Sequence, residues 1–447
     1  MTPEAPGDGS SSPTLAVRRA SLATCDGGVS DAGILADAAL VIRDGEVCWI
    51  GPDAEVASRF DLSSTLQIDA RGRLVTPGLV DAHTHLLFGD RGEREAEFAE
   101  LAAGLPYAEI ARRGGGILAT ARATRAATDE ELIWGAVARA RRLLAQGVTT
   151  VEVKSGYGLS VAEELRMLRL VREVARSLAG EMTVVPTLLA LHAVPPELGG
   201  DRAAWVRQVV EELLPAVAGE RLAAFCDVFV APTAFGVEDA RRVLLAGRAL
   251  GLVPRLHADQ LSDDGAALLA AEVGASSADH LEHVNDSGIA AMARAGVVAG
   301  LLPTSTLLAR VRPFAPGRRL VDAGVAVALA TNVNPGTGMS ENVGLTLSLA
   351  CLEGGLTPAE ALVAATAGGA RALRLADVGR LAPGMAADLV LWGAVSPAHL
   401  AWHTAVNHAL LVVKGGRVVH QAEGWAAADC AGGRELDPSL GPSVPRT

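Results

Sequence analysis

The apolar positions of this chain fall into two patterns. Short alternating runs occupy both ends, and longer apolar runs separated by helical stretches occupy the middle. Near the start, ALVIRDGEVCWIG (39–51) sets Val41, Ile42, Val47 and Ile50 around an Asp44-Gly45 turn, which is a hairpin signal. The pattern returns late, in ADLVLW (387–392) and ALLVVKGGRVVHQ (409–421), with Gly415-Gly416 at the turn. The two ends therefore predict one composite β-sandwich, built from residues 14–72 and 378–425 across the long middle.

Residues 73–377 alternate between strand and helix. Strand candidates stand at 74–86, 148–156, 183–193, 226–230, 252–260, 277–284, 297–305 and 325–334. The helix after Thr128 shows the alternation well. Thr128 and Glu131 form a capping box, Ile133, Val137, Ala140 and Leu144 recur at helical spacing, and Gly147 ends the run. Ser160 with Glu163, and Thr357 with Pro358 and Glu360, open later helices in the same way. Eight strands with intervening helices predict an α/β fold, a (β/α)8 TIM-like barrel with its chemistry where the strands end. An open doubly wound sheet would want a G-x-G-x-x-G loop after an early strand. None stands there, and Gly114-Gly115-Gly116 follows no strand and reads as a loop.

Composition supports a large core. Half of the 447 residues are hydrophobic and a fifth are charged, which excludes a disordered chain. With 39 Lys+Arg against 51 Asp+Glu the net charge is −12, which argues against nucleic acid or an anionic membrane as main partner. Residues 1–13 and 429–447 are rich in Gly, Ser and Pro and are expected to be disordered. The five cysteines are scattered, so neither a disulfide framework nor a zinc ribbon is expected. No apolar run approaches the roughly 20 residues of a membrane span, and a cytoplasmic protein is expected.

The informative polar residues are histidines at strand ends: His83, His85, His192, His257 and His280. Residues two apart in a strand face one side. His83 and His85 can therefore ligate one ion, and His257 from a distant strand can complete the set. Zinc or ferrous iron suits three imidazoles with an open position for water. A His-x-His alone is commonplace; the company of His192, His257 and His280 is what makes it a metal-site signal. His283, His399, His403, His408 and His420 fall outside the pattern and read as ordinary surface or core residues. Of the two tyrosines, Tyr107 alone reads as an anchor, whereas Tyr157 lies in a glycine-bearing loop at a strand end, suited to ligand contact. Asn332 and Asn334 precede Pro335-Gly336-Thr337, a turn that can offer amides to a substrate.

Segment 75–85, VTPGLVDAHTH, resembles the metal-binding strand of the amidohydrolase superfamily. GGGI (114–117), ATR (123–125), GVTTVEVKSGYGL (147–159), LHAVPPE (191–197), LHADQLS (256–262), SADHLE (277–282) and NPGT (334–337) more narrowly resemble the imidazolonepropionase family, over roughly residues 14–425. The resemblance implies hydrolysis of the ring C–N amide of 4-imidazolone-5-propanoate to N-formimidoyl-glutamate in histidine degradation. It implies one Zn2+ or Fe ion per subunit on His83, His85 and His257. It further implies substrate contacts from Tyr107, Tyr157, His192, Gln260, Asn334, Gly336 and Thr337, and oxyanion stabilisation or proton relay by His280.

The propionate tail calls for an arginine after His85, because a guanidinium pairs with a carboxylate as a fork. Arg91 and Arg94 both fit; Arg94 needs one insertion and no deletion. The family places Asp where this chain has Asn332, as a metal ligand and proton acceptor. An amide can offer a carbonyl oxygen to a metal but cannot act as a carboxylate base. Asp259 and His280 are then the alternative acceptors. A related cyclic-amide hydrolase or aminohydrolase, and a ligand-binding relative that has lost its base, are the competing expectations. By analogy with large barrel enzymes, a homodimer is also expected.

Overall fold

The computed structural model describes residues 13–28, 31–105, 107–232 and 234–425 and the backbone of 430–431, with the side chains of residues 107, 108 and 111 outside the description. The expectations for residues 1–12 and for most of 429–447 lie outside the described residues. Cys430–Ala431 is an exception to the disordered tail, since it pairs antiparallel with Leu66–Asp69.

Eight strands pair in chain order, each parallel to the next: Leu79–Asp81, Val148–Lys154, Thr183–Leu191, Phe225–Phe229, Val253–Ala258, Ser277–His280, Val298–Leu301 and Val327–Leu329. The ring closes just beyond the ends of its first and last members. His85 N donates to Asn332 O at 3.0 Å, Asn332 N donates to His83 O at 3.1 Å, and the buried Asp81 carboxylate accepts Thr331 N at 3.1 Å. The barrel seam thus runs through three of the residues singled out for chemistry. Helices cover the outside at close range. A Cβ on Gly368 would stand 2.0 Å from Val327 O, so only glycine lets that helix lie on the last strand.

A second sheet of nine strands draws on both ends of the chain. Leu389–Trp392 pairs with Leu74–Pro77, which is itself parallel to Leu15–Ala23. Leu22, Leu40, Ile68, Leu389 and Leu411 share one core cluster. Both hairpins have the predicted turns, with φ of +51° and +84° at Asp44 and Gly45, and +52° and +75° at Gly415 and Gly416. The predicted strand 74–86 proves to be two elements. Leu74–Pro77 joins the nine-stranded sheet and Leu79–Asp81 joins the barrel. Gly78 makes the crossing, where a Cβ would stand 2.2 Å from Thr149 Oγ1. The helix caps are as predicted at Thr128 and Thr357, and Ser160 Oγ accepts Glu163 N at 3.2 Å.

Candidate metal centre

Four imidazoles meet at the mouth of the barrel. His83 and His85 follow Leu79–Asp81, His257 lies in Val253–Ala258, and His280 ends Ser277–His280. The Nε2 atoms of His85 and His257 are 3.3 Å apart. One nitrogen each from His83, His257 and His280 lie within 4.8 Å of one another. The converging set thus has His280 in place of the expected His85, although the rings of His83 and His85 both neighbour His257, with centroids 4.5 and 5.5 Å away.

Carboxylates behind the rings fix which nitrogen faces inward. His83 Nδ1 donates to Asp279 Oδ2 at 2.7 Å and His257 Nδ1 to Asp227 Oδ1 at 3.2 Å. Each bond leaves an Nε2 lone pair aimed away from the carboxylate. Burial holds the pKa of His83, His85 and His257 below the ordinary value, with Lys154 adding to the effect at His83 and His192 at His85. The rings are thus neutral, the form that ligates metal.

A buried charge network supports those carboxylates. Lys154 Nζ lies 2.8 Å from both Glu152 Oε1 and Asp227 Oδ2. Arg255 Nη2 donates to Asp279 Oδ2 at 2.9 Å and to Ala82 O at 2.6 Å. Burial alone would raise Asp227, but Lys154 and His257 hold its carboxyl well below the usual range. Three carboxylates against two cations leave one negative charge beneath the histidines.

The donor set fits a divalent cation. His83 Nε2 and Asn332 Oδ1 are buried without a hydrogen-bond partner, and two imidazole Nε2 atoms face each other across 3.3 Å. Such groups are costly unless a cation or proton satisfies them. Neutral nitrogens with one amide oxygen suit Zn2+ or Fe2+. Asn332 is held by its Nδ2, which donates to Ser305 Oγ at 2.9 Å and Thr337 Oγ1 at 3.3 Å. His280, Asn332 and Val333 take φ of +83°, +74° and +27°, backbone uncommon outside glycine.

The remaining candidates divide by position. His192 Nδ1 donates to Gly156 O at 2.9 Å, and its ring stacks on His85 with centroids 5.4 Å apart. Tyr157 lies 5.1 Å from the His192 ring and 5.8 Å from that of His85. Arg94 is buried, pairs with Glu97 and sends Nε to Pro335 O at 3.4 Å. It borders a cavity of about 400 Å³ that Glu97, Pro335, Gly336 and Gly338 also line. Arg91 instead turns to the surface, where Nη2 donates to Ala126 O at 2.9 Å. Asn334 Oδ1 accepts Gly336 N at 2.8 Å and Thr337 N at 3.3 Å, shaping the turn beside Arg94. Gln260 is half-buried just past the strand that carries His257. The side chain of Tyr107 lies outside the described residues.

One alternative from the sequence is corrected. Asp259 accepts the backbone N–H of Asp264, Ala266 and Ala267 at 3.0–3.1 Å, so both of its oxygens cap the helix Ala266–Val273. It is therefore committed to structure. His280 Nδ1, by contrast, has no hydrogen-bond partner and stands 3.6 Å from Glu282 Oε1.

Two positioning residues escaped the sequence reading. Glu164 accepts Gly156 N and Leu159 N, each at 2.8 Å, and Arg125 donates to Gly158 O at 2.6 Å and Leu159 O at 2.8 Å. Together they hold the Tyr157 loop. Arg125 belongs to the ATR block, so its motif was visible but its partners, being backbone atoms, were not.

Comparison with known proteins agrees with this geometry. Residues 74–419 match the amidohydrolase family. The chain is 61% identical over 417 residues to an imidazolonepropionase from Anaeromyxobacter dehalogenans, covering 93% of this chain and 98% of that one. Among solved structures it resembles a 5-methylcytosine deaminase from Klebsiella pneumoniae, with TM-score 0.71, 18% identity and coverage of 91% and 98%. It also resembles an adenosine deaminase from Xanthomonas campestris with bound zinc, with TM-score 0.66, 20% identity and coverage of 91% and 92%.

Proposed function

The chain belongs to the amidohydrolase family and, within it, to the imidazolonepropionases, and from that membership we propose how its barrel mouth opens the ring of 4-imidazolone-5-propanoate. It is a hydrolase of histidine degradation that acts on a cyclic-amide C–N bond, in a family that is generally metal-dependent. His83, His85 and His257 would hold one Zn2+ or Fe2+ ion, with Asn332 Oδ1 as a further ligand atom. Bound there, the ion would lower the pKa of a coordinated water and polarise the ring carbonyl.

The observation that carries this reading is the convergence of four buried imidazoles, two of them turned inward by Asp279 and Asp227.

Each of the other residues has a task that follows from its surroundings. His280 takes a proton from the attacking water at a ring nitrogen and returns it to the departing ring nitrogen. The hydroxyl then ends on the carbonyl carbon and the proton on nitrogen, so the ring opens to N-formimidoyl-glutamate. Asn332 cannot accept that proton and Asp259 is occupied as a cap, which leaves His280 with Glu282 beside it. Arg94 exchanges its bond to Glu97 for the substrate propionate. Tyr157 and His192 orient the ring and Gln260 contacts it, while Asn334, Gly336 and Thr337 form the wall beside Arg94.

A second reading is a ligand-binding relative with impaired chemistry, motivated by the amide at Asn332. Incubation of the purified chain with zinc or iron and 4-imidazolone-5-propanoate separates the two. Loss of ring absorbance with formation of N-formimidoyl-glutamate is expected. A silent parent that gains several orders of magnitude in rate as Asn332→Asp would favour the second reading. Turnover of other rings with none of this one would reject both.

A further inference from the structure

A second histidine cluster lies outside the barrel mouth. His399 is in the helix Pro397–Trp402, and His403 follows as its C-cap, with His403 N donating to His399 O at 3.0 Å. The two side chains are therefore one helical turn apart on one face. His408 immediately precedes the strand Ala409–Lys414 and returns to the same point. One ring nitrogen from each lies within 4.8 Å of the others, and ring centroids are 4.8 Å apart for His403–His408 and 5.0 Å for His399–His408. His408 Nε2 is buried and has no hydrogen-bond partner. His403 is exposed, so the cluster is open to solvent.

We propose that His399, His403 and His408 form a second cation site, for a borderline transition metal such as Zn2+, Ni2+ or Cu2+. Three imidazole nitrogens at these separations can close on one such ion and leave coordination positions for water. Without an ion, an orphaned Nε2 beside two more imidazoles gains nothing from the packing. Burial and the two neighbouring histidines both disfavour the charged form of His408, which keeps its lone pair available.

The site is a structural joint. Asn342 Nδ2 donates to Ala405 O at 3.0 Å, while Asn342 Oδ1 caps the helix Val343–Leu352 through Leu345 N. Asn407 Nδ2 donates to Ala145 O at 2.8 Å. A cation tying His399 and His403 to His408 would close the 403–408 loop onto the start of that helix, which follows the mouth turn at 334–338.

The test is zinc stoichiometry. Full-length chain stripped by chelator and dialysed against micromolar free Zn2+ is expected to hold two equivalents, and His403→Ala and His408→Ala one each. His403→Ala changes an exposed side chain at a helix end and is expected to keep ring-opening activity within about two-fold. One equivalent in the parent, or two in both variants, overturns the proposal. If the parent binds two and His403→Ala binds one with activity retained, the lost ion is not the barrel-mouth ion.

Discussion

Arg91 and Arg94 are one helical turn apart in number, yet they meet different surroundings. Arg91 is satisfied by Ala126 O at the surface, whereas Arg94 is buried against Pro335 and Gly336 with Glu97 as its counter-ion. Arg94→Gln is expected to raise KM for 4-imidazolone-5-propanoate roughly 10–100-fold, since a hydrogen bond to a charged group is worth about 1.5–3 kcal/mol. Arg91→Gln is expected to leave KM nearly unchanged, and steady-state kinetics of the pair checks both. Spacing could not separate these arginines, because the difference lies in a wall supplied by residues 335–338, far along the chain. The strand-end histidines were legible for the opposite reason. A barrel brings every strand end to one rim, so position in the pattern already implied proximity. Asp259 was misread as a possible base because a capping carboxylate and a catalytic one look alike until the backbone N–H groups around them are known.

The elements themselves were largely written in periodicity. Eight buried strands, two hairpins and the helix caps all follow from apolar spacing and turn residues. The crossing at Gly78 was not read, because apolar residues resume directly after the Pro77-Gly78 break and the two segments passed for one strand. The Tyr157 loop was visible as a motif, but not what holds it. Glu164 is buried and accepts two loop N–H groups, so Glu164→Gln turns an amide N–H2 toward donors. Leaving a buried donor unsatisfied costs about 1–3 kcal/mol. The expected result is a lower denaturant midpoint and a raised KM with zinc content unchanged; unaltered kinetics would separate this loop from the substrate. The spacing of His399 and His403 was likewise visible, but His408 reaches them only through the return of the chain into a strand.

At the scale of the whole molecule, the buried histidines set a pH dependence. The pKa values of His83, His85, His192 and His257 all lie below 6.5 in the fold, with His192 pushed down to about 3 by burial and by His257. Below pH 6.5 the unfolded chain binds protons that the folded chain refuses, so stability falls as pH falls. Asp81, Glu164 and Asp259 act in the other direction, since burial raises their carboxyls, Asp81 to about 7, whereas His408 and His420 are also held below the ordinary value and add to the four. Metal-free protein should therefore melt at lower temperature at pH 5.5 than at pH 7.5; a flat or rising profile would mean that these rings are not held neutral. The composite sheet is also a whole-molecule feature. Its pattern was readable at each end, and Leu389–Trp392 beside Leu74–Pro77 is the pairing that unites them.

The central claim is that one divalent ion on His83, His85 and His257 enables ring opening. It is tested most directly by titrating Zn2+ into metal-free His403→Ala protein while following 4-imidazolone-5-propanoate. Activity is predicted to start near zero, rise linearly and break at one equivalent. Full activity before any metal is added, or no activity at any level of zinc or, in a parallel titration, of ferrous iron, would contradict the claim.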